Sequence, residues 1–169
     1  MTEHPIKAHL EGVHHFALSV PDLDVARRFY VDLLGAEIIS ETTWEAGNPW
    51  IDAIVGLPGS AARSFIARLR NVQVEAFEYA APKAPPADPD RPVNHYGYTH
   101  VGFQVDDIQA TYDKMIAAGL RFHTPPDLST ITIDAQGRKT GFAATYGRDY
   151  FGNVFEILEI HRGDNIKPI

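Results

Sequence analysis

The chain has 169 residues, 44% of them hydrophobic and 22% charged, and a net charge of −7. This is the composition of one ordinary globular domain, or of two small halves sharing one core, and it excludes a long multidomain enzyme, a disordered chain and a collagen-like one. No apolar run approaches the roughly 18 residues of a membrane span, cysteine is absent, and the acidic balance offers no basic footprint for nucleic acid.

The opening, MTEHPIKAHLEG, lacks the apolar stretch of a signal peptide, so the expected compartment is the cytoplasm, with no membrane partner. From His15 onward Phe16, Leu18 and Val20 alternate with Ala17 and Ser19, the period of a strand. Asp22 and Asp24 can cap a helix, and Val25 to Leu34 carries apolar residues at helical spacing until Gly35 stops it. A glycine-, proline- and polar-rich stretch comes next, with strand-like pieces at Ser64 to Leu69 and Val72 to Tyr79. Gly56-Leu57-Pro58-Gly59 reads as a turn, because no helix start with Lys-Ser or Lys-Thr comes after it to make a phosphate loop.

Residues 81–93 are too rich in proline to continue a strand or helix and form the connector. After it the pattern repeats. His100 precedes Val101, Phe103 and Val105 alternating with Gly102 and Gln104; Asp106 and Asp107 can cap; Ile108 to Ala118 is helical in spacing and stops at Gly119. Further strand-like pieces lie at Ser129 to Asp134, Gly141 to Tyr146 and Val154 to Ile160. The chain therefore reads as module 1 (about 12–80), the connector 81–93, and module 2 (about 94–161), each a βαβββ unit, within a single α+β domain of 1–169.

The repeat carries chemistry. His15, Val20, Asp22 and Leu23 recur as His100, Val105, Asp107 and Ile108, 85 residues on, and Val74-Glu75-Ala76-Phe77-Glu78-Tyr79 recurs as Phe155-Glu156-Ile157-Leu158-Glu159-Ile160, 81 residues on. A histidine opens each half and glutamates close it. Since Phe16, Leu18 and Val20 must meet the helix, His15 and His100 point to the other face, whereas His14 shares the parity of Phe16. Duplication alone would leave the histidines as polar strand starts and the glutamates as solvated edge charges. Two imidazoles and two carboxylates in matching places outweigh that reading and fit a divalent metal site with only nitrogen and oxygen donors. Alternation does not choose between Glu75 and Glu78, or between Glu156 and Glu159.

The paired His-x4-Val-x-Asp pattern, the helix ending Phe29-Tyr30 then Leu33-Leu34-Gly35, and Gly152-Asn153-Val154-Phe155-Glu156-Ile157 resemble the vicinal oxygen chelate superfamily, over about residues 12 to 161. That superfamily includes glyoxalase I, methylmalonyl-CoA epimerase, extradiol dioxygenases and fosfomycin or bleomycin resistance proteins. The resemblance implies two βαβββ modules forming a U-shaped, incompletely closed sheet around the metal. It also implies the ligand set His15, Glu75, His100 and Glu156, closest in pattern to glyoxalase I and the epimerase. Glu156 stands four residues after Gly152, as in the family's aspartate-proline-x-glycine turn, and the repeat then selects Glu75. The turn here reads Arg148-Asp149-Tyr150-Phe151-Gly152 and lacks the proline.

The implied function is that of a metal-dependent lyase or isomerase, glyoxalase I-like or epimerase-like. It would transfer a proton next to a metal-bound carbonyl through an enediolate or enolate, with Glu156 and Glu75 as both ligands and acid/base groups. The cofactor is one divalent ion, zinc, nickel, cobalt, manganese or iron(II), and the partners are a small-molecule substrate and a second copy in a homodimer. An alternative is an iron(II) extradiol dioxygenase using His15, His100 and Glu156, with Tyr146 near the substrate; Glu75 argues against it by filling an open position. A second alternative is a non-catalytic binding or resistance protein of the same fold.

Trp44, Trp50, Phe77, Tyr98 and Tyr146, with Phe65 and Tyr79, are candidates to line a pocket for an apolar or aromatic substrate, core packing being the competing role. Arg63, Arg148 and Lys139 are candidates to meet a carboxylate or phosphate, solvation being the commoner fate. No basic cluster signals glutathione or coenzyme A. His4, His9, His95, His123 and His161 have no repeat partners and read as surface residues or as neighbours of ligands.

Overall fold

The structure, a computed structural model, describes residues 9–161 and 166–169. It divides into two compact units, Met1–Pro85 and Pro86–Ile169, each built on its own sheet. The class is α+β with neither sheet closed into a barrel.

In the first unit β1 (His15–Ser19) leads into α1 (Leu23–Arg27), which continues as a wide π-type turn over Arg28–Leu33. Then come β2 (Glu37–Trp44), α2 (Pro49–Val55), β3 (Ala61–Leu69) and β4 (Val72–Ala81). The sheet order is β1-β4-β3-β2, so the first and last strands are neighbours, and they run parallel. Asp22 caps α1 by accepting from the N–H groups of Asp24 and Val25, and Gly35, at φ 73°, ends the helical segment in the left-handed region. Phe16 meets Tyr30 on the helix side, where Phe29, Phe65, Val74 and Ala76 are buried. Each large side chain removed from water there contributes about 1.5–3 kcal/mol.

The second unit repeats this plan with β5 (His100–Val105), α3 (Ile108–Ala117), β6 (Arg121–Phe122), β7 (Ile131–Ile133), β8 (Lys139–Arg148) and β9 (Val154–Ile160). The order is β5-β9-β8-β6, with β7 on β8 and β5 parallel to β9. Asp107 caps α3 through the N–H of Ala110. Ile108, Met115, Phe155 and Ile157 form its core.

Three elements escape the sequence reading. β2 is largely exposed along its length, α2 has seven residues, and β6 has two. None is long or periodic enough to announce itself, although Asn48 caps α2 and Pro49 begins it. β4 also runs on to Ala81, into the stretch read as connector. Among the described residues, no helix is long and apolar enough to cross a membrane.

The turn before β9 holds without the proline. Asp149 accepts from the N–H groups of Phe151 and Asn153 and from the Asn153 amide, and Gly152 adopts φ 88°. Burial raises the Asp149 carboxyl above its usual range, and these donors oppose the rise. A Cβ on Gly152 would collide with the backbone of Pro89. Gly152→Ala is therefore expected to cost about 2 kcal/mol of unfolding free energy in a urea titration, from left-handed strain and the clash together.

Candidate metal centre

Each unit brings one histidine and one glutamate together by the same register. In the first, His15 opposes Gln73 and Ala17 opposes Glu75; in the second, His100 opposes Val154 and Gly102 opposes Glu156. Each glutamate thus lies across from the residue two after its histidine, and period two puts both on one face. His15 Nε2 is 3.3 Å from Glu75 Oε2, and His100 Nε2 is 3.4 Å from Glu156 Oε2. The four side chains are partly exposed, at 38% and 18% in the first pair and 25% and 23% in the second.

The choice that alternation leaves open is made by the helices. Glu78 and Glu159 sit on the opposite face and satisfy a helix N-terminus. Glu78 Oε2 accepts from Leu23 N at 2.7 Å, and Glu159 Oε2 accepts from Ile108 N at 3.0 Å. These are N–H groups that the Asp22 and Asp107 caps leave over. Each Glu-x-x-Glu strand therefore spends its second carboxylate on the fold and presents its first beside the histidine.

The imidazoles are also held alike. His100 Nδ1 is 2.9 Å from Thr99 Oγ1, and His15 Nδ1 is 2.8 Å from His14 Nδ1, leaving Nε2 of each toward its glutamate. A partner at Nδ1 fixes the tautomer and ring orientation of a ligating histidine. Parity assigns His14 to the side of Phe16, facing the helix. It precedes β1, so alternation does not bind it, and its Nε2 meets the Gln73 side chain at 2.9 Å. Nothing in the sequence singles out Thr99 or Gln73; the signal is their place beside the paired residues.

The donor set fits a divalent ion. Two ligands about 2.1 Å from one ion and about 90–109° apart are separated by about 3.0–3.4 Å. The distances within the two pairs lie in that range. Each unit by itself supplies two donors, and among the described residues no group of three or more histidine, aspartate or glutamate side chains comes together.

The aromatic candidates divide. Trp44 contacts Phe77 and Tyr79, with centroids at 6.1 and 6.0 Å, and all three lie on the Glu75 face of the first sheet. Tyr146 lies opposite Glu156 and packs on the His100 ring at 4.6 Å. Phe65 is fully buried on the helix side and belongs to the core. Trp50 and Tyr98 are exposed, at 71% and 100%.

The three cationic candidates have partners inside their own units. Arg63 pairs with Glu78 and Asp24, Lys139 with Glu159, and Arg148 is buried and donates to the carbonyls of Pro89, Arg91 and Gly152. Of the remaining histidines, His161 binds Glu159, His123 lies 6.0 Å from Tyr146, His9 and His95 are exposed, and His4 is outside the described residues.

A family model described as the Glyoxalase/Bleomycin resistance protein/Dioxygenase superfamily matches residues 12–157. A 2-epi-5-epi-valiolone epimerase of an Actinomyces species is 33% identical over 139 residues, 80% of this chain and 75% of that protein. YaeR of Escherichia coli K12 is 31% identical over 89% of this chain and 97% of its own. Among solved structures, a glyoxalase family protein from Bacillus cereus has a TM-score of 0.75 at 19% identity, covering 90% of this chain and 96% of that one. The fosfomycin resistance protein FosX from Listeria monocytogenes, complexed with Mn(II) and sulfate, has a TM-score of 0.56 at 14% identity, covering 90% and 94%.

Proposed function

The chain belongs to the glyoxalase/bleomycin resistance protein/dioxygenase superfamily, and from that premise we propose that it is a metal-dependent isomerase or lyase acting on a small carbonyl compound. His15, Glu75, His100 and Glu156 would hold one divalent ion. When bound, that ion supplies Lewis acidity that lowers the cost of charge developing on the substrate oxygen. The observation that carries the reading is the duplicated His–Glu pair, in the same register and with Nε2 turned toward the glutamate in both units.

The chain's own residues then account for proton transfer at the carbon next to the carbonyl, through an enediolate or enolate. Glu156 takes the proton and Glu75 serves as its counterpart, two carboxylates of equal chemistry but different neighbours. Epimerisation needs such a pair, one to remove the proton and one to return it on the opposite side. The named epimerase at 33% identity supports this choice among the superfamily's reactions. Gly102 lies across from Glu156, and a Cβ there would meet the Leu158 side chain at 3.3 Å and stand in ordinary contact with Glu156 Oε2 at 3.5 Å. Thr99 and His14 keep the imidazoles oriented.

The contact of Tyr146 with His100 favours a second reading, an iron(II) extradiol dioxygenase using His15, His100 and Glu156. One experiment separates them: metal analysis of untagged protein beside Glu75→Gln, with both assayed on a hemithioacetal and on a catechol. The expected result is about one divalent ion per chain, at least about tenfold weaker metal binding in the variant, and no oxygen uptake. Protein that takes up no divalent metal overturns the enzyme reading. Oxygen uptake with catechol that survives Glu75→Gln replaces it with the dioxygenase.

A further inference from the structure

The Glu75 face of the first unit carries a feature that the repeat does not explain. At the two positions after Glu75 on that face stand Phe77 and Tyr79, stacked at 5.8 Å and 26°, with Trp44 edge-on to both. The matching positions after Glu156 are Leu158 and Ile160, and the short β6 provides no counterpart of Trp44. On the helix side of the same strands the matching pairs Val74 with Phe155 and Ala76 with Ile157 are apolar in both copies, so the change from Leu158 and Ile160 to Phe77 and Tyr79 falls on the face that bears the proposed ligand.

Trp44 is also held in place. Its indole N–H donates to Ser60 Oγ at 3.0 Å, and Ser60 Oγ donates to Asp52 Oδ1 at 2.7 Å. Asp52 further accepts from the backbone N–H groups of Gly59 and Ser60, at 2.7 and 2.9 Å. Ser60 is fully buried. An indole N–H withdrawn from water needs an acceptor, and here that acceptor is itself anchored. A hydrogen-bonded chain from α2 fixes the angle of the ring, which matters when a flat ligand must find it already set.

We propose that Trp44, Phe77 and Tyr79 form a ring-recognition wall beside Glu75, against which a ring of the substrate packs, with Ser60 and Asp52 as positioning residues for the indole. The assignment rests on the proposed chemistry at Glu75 and narrows its substrate to a carbonyl compound whose reacting carbon is in or next to a ring. An aromatic ring can stack on such a wall, and a saturated ring can lay the C–H groups of one side against it, both burying apolar surface.

The test uses three α-hydroxy ketones, hydroxyacetone, 2-hydroxycyclohexanone and 2-hydroxyacetophenone, titrated calorimetrically into the full chain with and without a divalent metal. At least one ring ketone is expected to bind about tenfold more tightly than hydroxyacetone, and which one does so tells a saturated from an aromatic ring. Phe77→Leu combined with Tyr79→Ile, which copies the second unit, is expected to bring that ratio below about threefold. Ser60→Ala should lower the same ratio with metal affinity unchanged. Loss of fold would weaken all three ketones together and leave the ratio alone, so the ratio reads recognition. Equal affinities for the three ketones, or a preference that survives the double substitution, overturn the wall. Failure of metal uptake strikes the earlier reading instead, because ring preference is measurable in the metal-free protein.

Discussion

Glu156→Gln is expected to lower turnover by about 10²–10⁴-fold and metal affinity by at least about tenfold, while moving the melting temperature of the metal-free protein by less than about 2 °C. The separation of effects follows from position. Glu156 lies on the face turned away from α3, its side chain is 23% exposed, and its partner is His100 Nε2 at 3.4 Å, a contact that a neutral amide preserves in shape. Substitution of a partly exposed group with no buried partner usually changes stability by about 0.5 kcal/mol or less. What the amide removes is charge and basicity: it binds a cation more weakly than a carboxylate and takes no proton from carbon. Metal titration, solvent deuterium exchange into a carbonyl substrate and a thermal melt give the three readings. A variant with native metal affinity and native exchange would remove Glu156 from the proposed chemistry, and a large drop in melting temperature would make it a structural residue like Glu159.

The contrast between Glu156 and Glu159 marks where the sequence stops being legible. Strand alternation places His15 and His100 away from the helices because it is a local property, and β1 exposes alternate residues in that way. The same rule does not separate Glu75 from Glu78, since each last strand mixes polar and apolar residues on both faces. The deciding fact is tertiary: a helix start leaves more N–H groups than one aspartate can satisfy, and the surplus donor of Leu23 lies 55 residues from Glu78. His14 misleads for the opposite reason, as it stands one residue before the strand and its period. β2 and α2 go unseen because their residues are mostly exposed and carry little periodic signal, yet they hold Trp44 and Asp52, so the sequence shows the ring wall only as scattered aromatic residues. Arg148 illustrates a third limit: its side chain is buried by carbonyls of 89, 91 and 152, partners with no side-chain signature.

Glu159→Ala is expected to destabilise the protein by about 2–4 kcal/mol, lowering the melting temperature by roughly 8 °C, whereas Glu78→Ala should cost about 1 kcal/mol. Both carboxylates receive a helix N–H, but the Glu159 side chain is 4% exposed and that of Glu78 is 29%. Removing Glu159 leaves the Ile108 N–H, the Lys139 ammonium and His161 without their acceptor, the first of them at a buried residue. Burial pushes the Glu159 carboxyl up, yet the Ile108 N–H, His161 and Lys139 together outweigh it and hold the group at about 2, below its ordinary value of 4.5. A carboxyl lowered on folding stabilises the native state above its unfolded pKa, and that contribution is lost as pH falls toward the folded one. The advantage of the native chain over Glu159→Ala should therefore be full at pH 7, shrink from about pH 5 downward, and approach its minimum near pH 2. Glu159→Gln, which keeps an oxygen for Ile108 N but carries no charge, should fall between the two at pH 7 and approach the native chain in acid. Urea unfolding across that range checks the order. A stability difference between native and Gln forms that stays constant from pH 7 to pH 3 would show that the charge of Glu159 does not stabilise the fold.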